Sequence, residues 1–429
     1  MINNYLEFLR CPNSGERLSL KEDELHSSYH VYPIIEEIPW LFENPEQEFI
    51  SWSGKITNYI KQEEERITSI KSVSSIEPNK DTKQRLEKIY EGLDFNLSVL
   101  KNKLSIFQLE DLPIVDNSSQ QIISYFKLLF RDWSWGDKEI NIYKEFILKN
   151  ESFKNKKILI LGAGACGLSY ELAKACPSSN FFSLEHNPLL SIYSKTILES
   201  KALDLYEVNL FPKNFKNSSV KRSLKASEEL SNHHLVLSSF PNIPFEKDSF
   251  DVIISPWFLD ILNMSFSLAL EKATKFLKSD GNFLFIGPSN IHSPYFTNQY
   301  TSSEIVNEFN DYFINTKSQV EQVDYLNSPI DTQKRVEDIL FIHASKLKLR
   351  KTVKKSEVQK EEILNYNDKL ITYKATTETF YRILKHINKT TNKDELSTIL
   401  INEFGFNKQE SLHYAGIFIT KINNELSRV

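Results

Sequence analysis

Cysteine, long apolar runs and surplus positive charge are all scarce in this chain of 429 residues. The three cysteines, Cys11, Cys166 and Cys176, include no C-x-x-C pair. They cannot build a disulfide framework at this length, so the expected setting is reducing and cytoplasmic. No run of about 18 or more apolar residues occurs, which leaves no candidate for a membrane-spanning helix. The opening stretch, MINNYLEFLRCPNSGERL, lacks the basic start and apolar core of a secretory signal. The 52 basic and 57 acidic residues give a net charge of -5. That average argues against non-specific nucleic-acid binding, although it would conceal a local basic patch. What is present is ordinary for a globular chain: 40% hydrophobic and 25% charged residues. The length implies roughly two to four domains.

The pattern divides the chain into four parts. Residues 1–45 form a small module, in which YLEFLR reads as a short helix, CPNSGERL as a turn and HVYPIIEEIPWLF as strand punctuated by proline. Residues 46–118 are polar and periodic. KQEEERITSIKS and DTKQRLEKIYEGL read there as amphipathic helices, with charge runs on their solvated faces. Residues 119–346 begin with ISYFKLLFRDWSWGDKE, Ile123 to Glu139, whose apolar spacing predicts a helix with a tryptophan-rich end. KKILILGAGA, NFFSLEHNP, SFDVIISPWFLD and NFLFIGPS then read as strands. LSYELAKAC reads as a helix between the first two, and LALEKATKFLKSDGN as one ending near Gly281. QVDYLNSP and DILFIHASK are further pairing candidates. Alternating strands and crossover helices predict an α/β fold, a parallel sheet covered on both faces. Residues 347–429 combine a charged linker, KLRKTVKKSEVQKEE, with a helical unit. In that unit Asn392 with Glu395, and Asn407 with Glu410, have N-cap spacing around Gly405.

Gly162-Ala163-Gly164-Ala165-Cys166-Gly167 is a G-x-G-x-x-G between a strand and a helix. The glycines allow a tight turn and a close backbone approach to a ligand at the helix N-terminus. Glu185 closes the next strand, where a carboxylate can accept both ribose hydroxyls. This points to an adenosine cofactor and leaves a dinucleotide and S-adenosylmethionine both open.

Later residues separate the two. Phe240-Pro241-Asn242-Ile243-Pro244-Phe245 followed by Ser249-Phe250-Asp251-Val252-Ile253 resembles class I S-adenosylmethionine-dependent methyltransferases. The resemblance implies a Rossmann-like class I methyltransferase sheet with S-adenosylmethionine as cofactor. It also implies that the loop at Ser239 and Phe240 holds the adenine, and that the strand ending at Ser255 supports the reacting end. The acid at the start of that loop in the family is Ser239 here, and the acid often found two residues before the first glycine is Ile160.

Four motifs in order sharpen the likeness: Arg131-Asp132-Trp133-Ser134, Leu161-Gly162-Ala163-Gly164, Phe258-Leu259-Asp260, and Gly287-Pro288-Ser289-Asn290-Ile291-His292. This set resembles the carnosine N-methyltransferase family. Carried over, it implies that Arg131 meets the carboxylate of the cofactor, with Gly162, Gly164, Gly167 and Glu185 completing its site. Asp260 would hold the substrate imidazole as the catalytic group, and His292 the substrate's polar end. A glutamine that assists Arg131 in the family is Leu128 here, and a late tyrosine has no match around Glu337. Tyr32-Pro33-Ile34 and Ile38-Pro39 are similar to the hairpin of a zinc-ribbon module. With a single cysteine beside His26 and His30, the segment reads as a metal-free relic. The C-terminal unit resembles a winged helix.

The expected activity is N-methylation of an imidazole nitrogen in a histidine-containing small molecule or peptide. The alternatives are RNA methylation and an inactive cofactor-binding scaffold. Oligomeric state is left open.

Overall fold

The computed structural model describes residues 2–107, 119–292, 298–346 and 393–404, with residues 411 and 415. The chain separates into two units, Met1–Leu349 and Arg350–Val429.

The first unit begins with two 3-10 turns, Ile2–Asn4 and Leu6–Phe8, and then a four-stranded antiparallel meander, β1 Ser19–Lys21, β2 Glu24–His26, β3 Val31–Ile35 and β4 Ile38–Pro39. Two long helices follow, α1 Pro45–Ile76 and α2 Lys80–Lys103. Asparagines start both. The Asn44 side chain accepts from Gln47 N–H, and that of Asn79 accepts from Asp81 and Thr82 N–H, which satisfies donors a helix start leaves open. Next come α3 Ser119–Phe130 and α4 Asp137–Asn150, joined by a π-helical turn over Arg131–Trp135. The helix predicted to run through to Glu139 is therefore broken. Gly136 N–H closes the turn on Arg131 O at 2.8 Å, and a Cβ on Gly136 would stand 2.3 Å from that same oxygen.

The central sheet is built from β5 Lys157–Leu161, α5 Gly167–Ala175, β6 Asn180–Glu185 and α6 Pro188–Leu198. A hairpin, β7 Leu203–Val208 and β8 Ser219–Leu224, precedes β9 His233–Leu237 and β10 Phe250–Pro256. Then come α7 Phe266–Thr274, β11 Leu277–Pro288, a short pair β12 Asn290–Ile291 and β13 Tyr300–Thr301, α8 Ser302–Tyr312, β14 Phe313–Asp324 and β15 Val336–Lys346. The strand order is β14-β15-β11-β10-β5-β6-β9. The strands from β11 to β9 pair in parallel, and β15 runs antiparallel to both β11 and β14. This is the Rossmann-like class I methyltransferase arrangement, with helices on both faces.

Neighbouring side chains on one strand enter opposite cores, which is why these strands read as continuous apolar runs. Leu159, Phe182, Ile253 and Phe285 join α7 and α8 on one face. Ile158, Phe181, Val252 and Leu284 join α4 and α5 on the other. The helix expected to reach Gly281 ends at Thr274 instead. Leu277 already pairs with Phe250, and a register shift before Asn282 absorbs the extra residues.

The N-terminal meander covers the β9 edge of the sheet. Trp40 bridges Leu237 in parallel, Leu41 N–H donates to Leu237 O at 2.8 Å, and Arg10 N–H donates to Pro244 O at 2.8 Å. Within the meander the Cys11 thiol lies 3.0 Å from the Tyr32 hydroxyl and 4.0 Å from His30 Nδ1, while His26 faces Glu24. Among the described residues no three His, Cys, Asp or Glu side chains are placed to hold a metal. All three cysteines are free thiols. Among the same residues no helix is long and apolar enough to cross a membrane.

In the second unit the described helix is α9 Lys393–Phe404, with Ser397 and Ser411 sharing a hydrogen bond of 2.8 Å. The N-cap residues Asn392 and Asn407, Gly405 and Glu410 lie outside the described residues, as does the charged linker from residue 347.

Candidate functional site

The site lies where β5, β6 and β10 end at the C-terminal edge of the sheet. After β5 the backbone enters the left-handed region at Gly162 (φ 66°), Gly164 (φ 59°) and Cys166 (φ 68°). Close approach demands glycine at the first of these, because a Cβ there would stand 2.4 Å from the Phe258 ring. At Gly164 the space a Cβ would enter is open for 4 Å, room that a ligand can use.

Glu185, at the end of β6, closes over this loop. Its Oε2 accepts from Gly164 N–H at 2.7 Å, and its Oε1 accepts from His186 and Asn187 N–H at 2.9 and 3.0 Å. Burial raises its carboxyl above the usual range, and these three hydrogen bonds oppose the rise. A carboxylate offers about four lone-pair directions, so about one is left for a ribose hydroxyl, rather than the two expected from sequence.

The π-helical turn clasps the loop from its other side. Asp132 Oδ2 accepts from Gly167 N–H at 2.8 Å, at the start of α5, and Trp133 Nε1–H donates to Ala165 O at 2.7 Å. Arg131 donates from Nε to Asp132 Oδ1 at 2.6 Å and from Nη1 to Glu139 Oε1 at 2.9 Å. Burial disfavours its charge, but these two carboxylates outweigh that and hold the guanidinium protonated. Arg131 thus stands beside the loop, with two of its donors engaged internally. Leu128 packs as a partly buried apolar residue, and Trp135 donates to Glu207 Oε1 at 3.1 Å.

Beyond β10 the chain carries Trp257 (φ 50°), Phe258, Leu259 and Asp260. Asp260 Oδ1 is buried without a hydrogen-bond partner, as is Ser255 Oγ on the strand. Burial pushes the Asp260 carboxyl up to about 6. Trp257 and Tyr325 pack with ring centroids 4.3 Å apart, and Arg335 lies 4.7 Å over the Tyr325 ring. Trp257 Nε1–H donates to the Tyr143 hydroxyl at 3.2 Å, which donates to Glu139 Oε1 at 3.2 Å. Glu139 Oε2 accepts from Leu326 N–H at 2.8 Å. One buried carboxylate therefore joins Arg131, Tyr143 and the loop between β14 and β15. Burial raises the Tyr325 hydroxyl to about 12, with Glu139 and Asp260 adding to the rise and Arg131 and Arg335 opposing it.

Phe240 packs edge-on against Phe258, centroids 5.6 Å apart, and so reaches the wall of the Gly162 turn. The neighbouring Ser239 is half-buried, next to Ser238, whose N–H donates to Glu185 O at 2.9 Å. His292 is exposed just beyond β12 and shares a hydrogen bond of 3.0 Å with Asn290. The structure thus gathers Arg131, Gly162, Gly164, Gly167, Glu185, Phe240, Ser255 and Asp260, and among the described residues no hydrogen bond or ion pair joins His292 to them. Glu139, Tyr143, Trp257 and Tyr325 carry no sequence signal of a site, since no short motif marks residues brought together from three separate segments.

A methyltransferase-domain family model matches residues 192–285. That stretch runs from α6 into β11 and begins after the glycine loop. Solved structures of similar fold include a SAM-dependent methyltransferase from Aquifex aeolicus, 14% identical with a TM-score of 0.33, covering 54% of this chain and 100% of that one. Another is the N-methyltransferase NodS from Bradyrhizobium japonicum in complex with S-adenosyl-L-homocysteine. It is 13% identical with a TM-score of 0.35, covering 54% of this chain and 99% of that one. At such identities the likeness concerns the fold. The sequence matches no curated protein.

Proposed function

We propose that this chain is an S-adenosylmethionine-dependent N-methyltransferase whose acceptor is an imidazole nitrogen of a histidine-containing small molecule or peptide. The observation that carries this reading is the meeting of the glycine loop, Glu185 and the unpartnered carboxylate of Asp260 at one edge of the sheet. The open space at Gly164 and the orphaned Ser255 Oγ fit a cofactor lying across the ends of β5 and β10.

When bound, S-adenosylmethionine supplies an electrophilic methyl group on a sulfonium. The chain's own residues would do the rest. Glu185 accepts a ribose hydroxyl, and Phe240 with Phe258 walls the adenine side. Arg131 offers its remaining Nη2 edge to a carboxylate, with the planar guanidinium held in place by Asp132 and Glu139. Asp260 accepts the N–H of the acceptor ring, so the opposite nitrogen presents its lone pair as nucleophile. The same carboxylate then stabilises the positive charge that develops on the ring. A carboxyl poised near 6 is ionised at neutral pH and able to do this.

The test is titration of the full chain with S-adenosylmethionine by calorimetry, followed by labelled-methyl transfer to histidine dipeptides, histidine peptides and RNA. Saturable cofactor binding and methylation of an imidazole-bearing acceptor, lost in Asp260→Ala with cofactor binding retained, is the expected result. Transfer that survives Asp260→Ala would refute the assigned role.

A further inference from the structure

The hairpin of β7 and β8 lies outside the site just described, and its base is firmly held. The Asn96 side chain on α2 both donates to Tyr206 O and accepts from Tyr206 N–H, each at 2.7 Å. Gly92 lets the two elements meet, since a Cβ there would stand 2.2 Å from Ser219 Oγ. Buried Glu207 accepts from Arg222 at 2.7 Å and from Trp135 at 3.1 Å. The hairpin also touches the catalytic edge: Asn209 Nδ2 donates at 3.0 Å to Ile330 O, in the loop that begins with Tyr325.

Its tip is different in character. Phe211 is 85% exposed, Phe215 49% and Leu210 37%. Lys213 and Lys216 lie between and beside these rings, and Lys88 of α2 sits 5.1 Å over Phe215. From Val208 to Ser227 the chain has five basic residues, Lys213, Lys216, Lys221, Arg222 and Lys225, and no acidic one. Lys221 and Arg222 are neutralised by Asp204 and Glu207 on the facing strand. Lys88, Lys213 and Lys216 make no salt bridge among the described residues. In a chain of net charge -5, this is a local basic patch around an exposed Phe211 and a half-exposed Phe215 with Lys88 over its ring.

We propose that the tip of this hairpin is a docking surface for single-stranded nucleic acid, with Phe211 and Phe215 stacking on bases and Lys88, Lys213 and Lys216 meeting phosphates. Exposed rings interleaved with lysines are what sequence-tolerant strand binding uses, because every base has a π-face and every linkage a charge. A membrane suits the tip less well. Lys213 and Lys216 alternate with the rings, so inserting Phe211 and Phe215 into hydrocarbon would drag the ammonium groups with them. An acidic peptide would find charge, but the rings stand in solvent and offer no walls to bury its side chains. The surface is independent of the methyl acceptor and of the chemistry at Asp260.

The experiment is fluorescence anisotropy of a labelled single-stranded oligonucleotide with the full chain, at low and at physiological salt. Phe211→Ala/Phe215→Ala should weaken binding by about tenfold or more. Lys213→Glu/Lys216→Glu should weaken it and flatten the salt dependence by roughly 0.7 in logarithmic slope for each phosphate no longer neutralised. Phe211→Trp should retain or tighten binding, which separates stacking from a folding defect, and the thermal midpoint of each variant should match that of the parent. No saturable binding at low salt, or binding undiminished in both double variants, overturns the proposal. So does tighter binding of polyglutamate or anionic vesicles through the same residues.

Discussion

Asp132 and Gly167 are joined by a hydrogen bond of 2.8 Å from the glycine N–H to Oδ2, and the same carboxylate receives Arg131 Nε on its other oxygen. The first turn of α5 and the guanidinium beside it are thus set by one side chain. An anion at a helix N-terminus is also favoured by the helix dipole.

Replacing Asp132 with Ala leaves the Gly167 N–H and Arg131 Nε without their acceptor in a buried setting. The expected loss of stability is about 1–3 kcal/mol, with weaker S-adenosylmethionine binding. Asn keeps an acceptor oxygen but not the charge, so it should fall between Ala and the parent. Urea denaturation and calorimetric titration of the three proteins check the order, and equal behaviour of Ala and parent would refute it.

Gly162 and Gly164 share a left-handed backbone but not a neighbourhood. A Cβ at Gly162 meets Phe258, whereas one at Gly164 meets open space. Gly162→Ala should therefore lower the thermal midpoint more than Gly164→Ala, which carries mainly the backbone cost of about 1–2 kcal/mol. For cofactor affinity, Gly164→Ala should be damaging out of proportion to its stability loss. Melting curves with and without S-adenosylmethionine distinguish the two.

Asp260 gives a pH signature. Its folded carboxyl is raised from 3.8 to about 6, so the folded state holds a proton that the unfolded state has already released. Stability from this group is fully present below about 4 and is lost as pH rises through about 6, by linkage. Asp260→Asn should accordingly raise the melting midpoint at pH 7.5 relative to the parent and leave it unchanged near pH 4. Methyl transfer by the parent should fall below about pH 6, as the acceptor carboxylate protonates. A mutant with the same pH dependence as the parent would exclude Asp260 as its source.

Trp40 is fully buried, packs on Phe42 and Phe107 at 4.7 and 5.8 Å, and donates from Nε1 to Pro45 O at 3.1 Å. Trp40→Ala should cost about 3–5 kcal/mol, read from the urea midpoint. Because its backbone also bridges Leu237, loosening it uncovers an edge strand, and light scattering should report increased self-association.

The parts of this structure legible in sequence are those fixed by neighbours along the chain. The runs KILIL, NFFSLE and FDVIISP are apolar because both faces are buried, and Gly162 and Gly164 adopt the backbone that only glycine takes freely. Arg131 follows directly from the end of α3, so its place beside the glycine loop could be anticipated from the motif order. What escaped was set by contacts that apolar spacing does not encode. The π-helical turn depends on Gly136 closing on Arg131 O, which helical periodicity across Ile123–Glu139 does not reveal. The hairpin of β7 and β8 alternates buried and half-buried residues along LDLYEV, a strand pattern between two stronger signals that drew no reading. Glu139 and Tyr325 meet Arg131 and Trp257 only after the sheet has assembled.

The covered edge at β9 also governs the order in which the molecule can be made. Leu41 and Ser238 meet across 197 positions of sequence. On the ribosome, the first module emerges long before the strand it covers, so it must stay available while the helices and the first two sheet strands appear. Such long closures slow folding, since their chain entropy is spent before any contact returns it. Until β9 arrives, the partner edge of β6 is open to strangers. A cover carried on the same chain is then always at hand, at a local concentration no separate protein could match.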